Sequence, residues 1–157
     1  MRVHMIHMDT MIITTPIITN YSMNSQDLII EYSQNPPNKW ILTNATIRYR
    51  ESNRICADVV EVFLVIENNT LQQFWFDGYM SIVATACVSI TGELLEWQSL
   101  DTILTLDEGF IHEHIGTDIS PRRKYASLLG LLAIKNAIHE YLQDGKKEDF
   151  SDITIGT

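Results

Sequence analysis

Hydrophobic positions along this chain change their period twice. From Asn44 to Tyr49, and more strongly from Val59 to Ile66, apolar and β-branched residues alternate with polar ones, the spacing of a half-buried strand. Glu67-Asn68-Asn69-Thr70 supplies turn residues and Leu71 to Phe76 resumes the strand pattern, so these two runs read as a hairpin. Three antiparallel strands are predicted. After Gly78 the period lengthens: Ile82, Ala86, Ser89 and Glu93 fall on successive turns of a helix over 81–95, and its small residues permit close packing.

Shorter helical pieces follow at 99–104 and 106–114, the first capped by Ser99 or Asp101. Asp118 or Ser120 is placed to cap a last, long helix with Pro121 in its first turn, ending near Leu142 before the stop at Gly145-Lys146-Lys147. Upstream, a helix containing Leu28 to Tyr32 gives way to the Pro36-Pro37 pair, which imposes a loop before Trp40. Residues 1–24, rich in Met, His, Thr and Ile, fit neither period. They read as an arm, flexible or partner-bound, with weak alternation at 11–15 that leaves an edge strand open. The organisation expected is an arm (1–24), one domain (25–145) and a tail (146–157).

At 157 residues and 45% hydrophobic content the chain is long enough to bury a sizeable core. A net charge of −9 argues against a nucleic-acid partner, which calls for a basic surface. The apolar stretches are too short and too interrupted to span a bilayer, and no conventional signal peptide opens the sequence. Two cysteines, Cys56 and Cys87, make no disulfide framework, so a cytoplasmic setting is expected.

Motifs for chemistry are sparse. No nucleophile–base set, phosphate loop or paired catalytic carboxylate stands out, and an enzyme is not expected. Asn53-Arg54-Ile55-Cys56-Ala57-Asp58 matches a loop pattern N-x-x-C-G-D except at Ala57. Gly78-Tyr79-Met80-Ser81-Ile82 followed by Ala84-Thr85-Ala86-Cys87 parallels G-C-x-I-S with its small residues. Arg123-Lys124-Tyr125-Ala126 parallels R-x-K-C, and Asn35-Pro36-Pro37-Asn38 parallels N-P-x-N. Taken together over roughly residues 25–143, these segments resemble the NifU/IscU-type iron-sulfur cluster assembly scaffold family.

That resemblance implies an α+β fold, a three-stranded antiparallel sheet packed against helices, and a metal site at Cys56 and Asp58. It also implies an iron-sulfur cluster, iron or zinc as what is bound, and a cysteine desulfurase or another iron-sulfur assembly protein as partner, in a homo- or hetero-oligomer. The family's second cysteine is here Tyr79. Its third is Ala126, or Tyr125 with the register moved by one. Thiolates are the soft ligands that hold such clusters, and neither tyrosine nor alanine replaces them. The implied function is a scaffold-like protein with a degenerate site. Two alternatives stand beside it: a protein-binding or regulatory member without a cluster, and an enzyme or small-molecule binder reusing the emptied site around Cys56, Tyr79 and Tyr125.

Other residues read more plainly. Cys87, among Ala84, Ala86 and Val88, is a small buried residue, too far along its helix to reach the Cys56 loop. His112 and His114 face different sides of a helix and read as solvated. His4 and His7 bind a metal only if the arm is helical. Arg122, Arg123 and Lys124 form the compact basic cluster, a solvated helix start or a dock for an acidic partner. Trp75 is expected in the core, and Trp97 is left open between core and surface.

Overall fold

The computed structural model describes residues 24–117 and 119–155. The arm over 1–23, with His4, His7 and the proposed edge strand, and the cap at Asp118 lie outside the described residues.

In chain order the elements are α1 (Ser25–Gln34), β1 (Ile47–Asn53), β2 (Asp58–Glu67), β3 (Thr70–Tyr79), α2 (Ile82–Leu95), α3 (Leu100–Leu104), α4 (Glu108–His114), a 3-10 turn (Pro121–Arg123), α5 (Lys124–Leu142) and α6 (Phe150–Ile153). The sheet order is β1-β2-β3, antiparallel throughout, as the alternation predicts. Asn68 and Asn69 both take positive φ, 53° and 59°, which is the tight turn an Asn-rich pair adopts between twisted strands.

Two strand boundaries move from their expected places. The first strand starts at Ile47 rather than Asn44 and runs on to Asn53, because Arg50 to Asn53 pair with Glu61 to Asp58 although their sequence hardly alternates. The third strand continues past Phe76 to Tyr79, pairing Gly78 with Val60 and Tyr79 with Val59. Gly78 permits this: at φ +149° a Cβ there would lie 2.1 Å from the Val59 carbonyl oxygen.

One face of the sheet carries Val60, Val62, Leu64 and Ile66 into the core beside Leu71, Phe74 and Phe76. Trp75 lies between the two phenylalanines in sequence and therefore on the opposite face, half-buried; the expectation that it belongs to the core fails on strand parity. Trp97 is half exposed at the turn after α2, at φ 73°, its N–H donating to Leu71 O at 2.7 Å.

α2 and α5 cover the core face. α5 buries an almost unbroken run from Ala126 to His139, more than one stripe, because it packs on both sheet and helix. Small residues set the spacing, as their clustering predicts: a Cβ on Gly130 would come 2.9 Å from Val88 Cα, and one on Gly92 would enter the Phe74 ring. Ser99 caps α3, Asp107 caps α4 and Ser81 caps α2, each accepting a first-turn N–H. Ser120 precedes the last helical segment without a side-chain cap bond, and Pro121 occupies the first position. The 146–155 segment carries α6, opened by a reciprocal capping box at Asp149 and Asp152. Ile153 is buried and Phe150 stacks on Tyr125 at 4.5 Å.

The N-P-x-N segment has a structural task. Asn38, fully buried, donates Nδ2–H to Ser89 O at 2.9 Å and accepts the Ser89 hydroxyl, pinning the loop to α2. Backbone bonds from Trp40 N to Phe76 O and from Phe76 N to Asn38 O then cover the outer edge of β3.

Candidate functional site

The β1–β2 connection is a four-residue loop, Arg54 to Ala57, whose shape follows from its flanks. Asn53 Oδ1 accepts the Ile55 N–H at 3.2 Å, an Asx turn that starts the reversal, and Ala57 completes it at φ 58°. A glycine adopts that angle without a Cβ penalty, so the one mismatch in the loop motif leaves a mildly strained alanine. Cys56, next to Ala57, is an exposed free thiol.

Asp58 is 1% exposed, and its Oδ1 accepts the backbone N–H of Ser81 at 2.7 Å. Ser81 Oγ in turn accepts from Ala84 N at 3.2 Å. The carboxylate thereby ties the start of β2 to the N-terminus of α2, where negative charge is favourable. Its second oxygen, Oδ2, is buried without a hydrogen-bond partner among the described residues.

Cys56 lines a cleft of about 600 Å³ together with Ser81, Ser120, Arg122, Arg123 and Ala126. A neighbouring cavity of about 320 Å³ joins it to Asn53, Arg122, Lys124 and Tyr125. The structure therefore brings Cys56 into one cleft with Ala126 and into the adjoining one with Tyr125, the two candidates for the third ligand position. Tyr79, in the second position, ends β3 at 88% exposure and lines neither space. Among the described residues no group of three or more His, Cys, Asp or Glu side chains is arranged to hold a metal ion.

Cys87 is fully buried in α2, and burial pushes its thiol up to about 12, so it stays protonated and silent. His112 and His114 are surface groups: His112 Nε2 lies 3.3 Å from Glu108, and His114 Nδ1 lies 3.0 Å from Phe110 O. The basic cluster divides. Lys124 pairs with Glu108 at 3.3 Å, whereas Arg122 and Arg123 have no carboxylate partner among the described residues.

A second polar cluster has no counterpart in the sequence reading. His139, nearly buried, lies between Asp144 (Nδ1 to Oδ2, 2.7 Å) and Glu148 (Nε2 to Oε2, 2.8 Å). Lys135 Nζ reaches Glu148 at 2.8 Å and Leu106 O at 2.6 Å. Asn136 bridges Glu51 and Glu148 O at 2.9 Å each and accepts the Glu148 N–H at 2.7 Å. The hydrogen bond from His139 holds the Asp144 carboxyl below its ordinary value. The available signal was polar residues at 135, 136 and 139 inside an apolar helical run, two of them one turn apart. The cluster fastens the 144–149 segment to α5, distant in sequence from the Cys56 loop.

Comparison with known proteins places these features in context. The profile of the NifU-like N terminal domain matches residues 24–148. The iron-sulfur cluster assembly scaffold protein IscU 1 of Archaeoglobus fulgidus is 21% identical over 123 residues, 78% of this chain and 80% of that protein. The iron-sulfur cluster assembly protein IscU of Plasmodium falciparum is 31% identical over 86 residues, covering 55% of this chain and 52% of the other. Among solved structures, the N-terminal part of a nitrogen-fixing NifU-like protein from Brucella abortus superposes with a TM-score of 0.61 at 14% identity, covering 75% of this chain and 94% of its own. A protein from Fervidobacterium islandicum described as an iron-sulfur cluster assembly scaffold for the SUF system gives 0.64 at 15% identity, covering 71% and 94%.

Proposed function

This chain belongs to the NifU-like N-terminal domain family of iron-sulfur cluster assembly scaffolds, and from that premise we propose that it serves cluster assembly through protein contacts around Cys56, without holding a cluster on its own residues. The supporting observation is the ligand inventory. Of the three cysteine positions suggested by the resemblance, only Cys56 offers a thiol; Ala126 or Tyr125 stands at the third, and Tyr79 at the second lines neither cavity that Cys56 lines. Asp58 has one oxygen committed to Ser81 N and the other enclosed, which suits a structural carboxylate better than an open ligand. A cluster or zinc ion held by thiolates does not fit these side chains.

The partner on this reading is a cysteine desulfurase or another iron-sulfur assembly protein, met in the cytoplasm through the surface that carries the exposed Cys56. Ile55 and Ile82, both strongly exposed, supply apolar area beside Cys56, Tyr79 adds an exposed ring at the end of β3, and Arg54, Arg122 and Arg123 supply charge. The chain contributes no catalytic step of its own.

Elemental analysis and a visible spectrum on protein purified without oxygen, beside Cys56→Ala, test the reading. Well under one iron or zinc per chain in both proteins is expected. Stoichiometric metal in the wild type that disappears in the variant overturns it and restores Cys56, with Asp58, as a working ligand set shared with another chain.

A further inference from the structure

Cys56 stands where two cavities meet, and basic side chains line both, beside isoleucines in the larger one, with no carboxylate among the described lining residues. Neither the cleft of about 600 Å³ nor the cavity of about 320 Å³ has an Asp or Glu among its described lining residues, in a chain with 20 acidic residues against 11 basic ones. Arg122 lines both, Arg123 the larger and Lys124 the smaller. The two arginines have no ion-pair partner among the described residues. Asn53, which lines the smaller cavity, is 1% exposed, and its Nδ2 has no hydrogen-bond partner among the described residues. A buried donor unsatisfied among the described residues, lining one cavity with the Arg122 guanidinium, marks a place that an anionic group completes. The larger cleft lies within the range of roughly 300–1,000 Å³ that ordinarily holds a small molecule.

We propose that this space receives a small acidic disulfide, the oxidised form of a carboxylate-bearing thiol, and that Cys56 takes up half of it. The step is thiol–disulfide exchange. The deprotonated sulfur of Cys56 attacks one sulfur of R–S–S–R; the Cys56 Sγ–S bond forms as the R–S–S–R bond breaks. The departing RS⁻ takes up the proton that the Cys56 thiol released, and the incoming disulfide is the only oxidant. Arg122 and Arg123 hold the carboxylates, for which the guanidinium fork is suited. The same charges disfavour a second copy of this chain as the occupant, because it would set Arg54, Arg122 and Arg123 against their own duplicates. This site shares Cys56 with the function proposed above but requires no metal.

The test uses the reduced, metal-free full chain with three reagents: glutathione disulfide (acidic), 2-hydroxyethyl disulfide (neutral) and cystamine (cationic). Intact-mass rates are divided by each reagent's rate with a short unstructured cysteine peptide. The acidic reagent is expected to add once, at Cys56, with a normalised rate about tenfold above the neutral one and higher still above the cationic one. High salt removes the preference in the wild type. The Arg122→Gln/Arg123→Gln double variant loses it, while the corresponding double Lys variant keeps most of it. Equal normalised rates for the three reagents, or a preference that survives high salt, overturn the proposal. Because no metal is present, such a failure leaves the elemental analysis of Cys56→Ala untouched.

Discussion

The Asp58 carboxylate accepts the Ser81 backbone N–H at 2.7 Å, joining the first residue of β2 to the residue that caps α2. One buried acidic group thus ties the strand start that follows the Cys56 loop to the helix start that lines the same cleft as Cys56. Asp58 lies two residues after Cys56, so the residue that the resemblance implies as a ligand also makes the bond that joins these two elements.

Asp58→Ala is therefore expected to destabilise the protein by about 1–3 kcal/mol, since it strands a donor at the Ser81 amide in a partly enclosed place. Asp58→Asn retains an acceptor oxygen and should lose less. Urea unfolding followed by circular dichroism measures both, and an alanine variant as stable as wild type removes the positioning role.

The helix pair makes a steric prediction. Gly130→Ala puts a Cβ 2.9 Å from Val88 Cα, against backbone that has no rotamer to adjust. Gly92→Ala drives a Cβ into the Phe74 ring, a fully buried side chain held on all sides. Each substitution is expected to cost about 1–3 kcal/mol, opposite in sign to the usual helical gain of alanine over glycine. A denaturation midpoint that rises in either variant contradicts the close packing of α2 on its neighbours.

The two thiols should separate cleanly by reactivity. Cys56 is exposed, whereas Cys87 is fully buried with its thiol pushed up to about 12 by that burial. A maleimide at neutral pH is expected to add once to the native protein and twice after denaturation, and not at all to native Cys56→Ser. Rapid labelling of Cys87 in the native state contradicts its place in the core.

Much of this was legible in the sequence, for physical reasons that particular residues display. The sheet was readable because Val60, Val62, Leu64 and Ile66 alternate with residues of the other face, and the hairpin because Asn68-Asn69 suits positive φ. α2 was readable from its small residues and from Ser81. Trp75 departs from its expected place in the core because an aromatic in a strand is commonly a core residue, whereas strand parity here puts it on the face opposite Phe74 and Phe76. The Lys135, Asn136 and His139 cluster escaped notice because its partners Glu51, Asp144 and Glu148 come from two other segments, and a helical pattern shows only one side of such a contact. The loop motif named Cys56 and Asp58 but could not tell that Asp58 faces Ser81 from within the core.

The Asp144–His139 contact carries a pH dependence of definite sign. Asp144 titrates below its ordinary 3.8, chiefly through the hydrogen bond with His139. A carboxyl depressed in the folded state contributes stability above its unfolded value, and that contribution is lost as pH falls through the folded one. Asp144→Asn should therefore be less stable than wild type at neutral pH, with the difference closing as pH drops below 3.8. Thermal unfolding from pH 7 to pH 3 checks this; a difference that widens on acidification reverses the sign.

Partner binding gives the most demanding prediction for the proposed function. Ile55 and Tyr79 are 77% and 88% exposed, and neither belongs to the core, so neither has a folding reason to be apolar at the surface. Large exposed side chains with an apolar body are what a protein interface uses as anchors. Ile55→Glu and Tyr79→Ala are expected to leave the unfolding midpoint within about 0.5 kcal/mol of wild type, as surface changes do. Each should nevertheless weaken the binding of a cysteine desulfurase, measured by calorimetry, by about tenfold or more, the loss of roughly 1.4 kcal/mol of contact. If a desulfurase that binds the wild type binds both variants equally well, its docking surface lies elsewhere than the Cys56 loop and the end of β3.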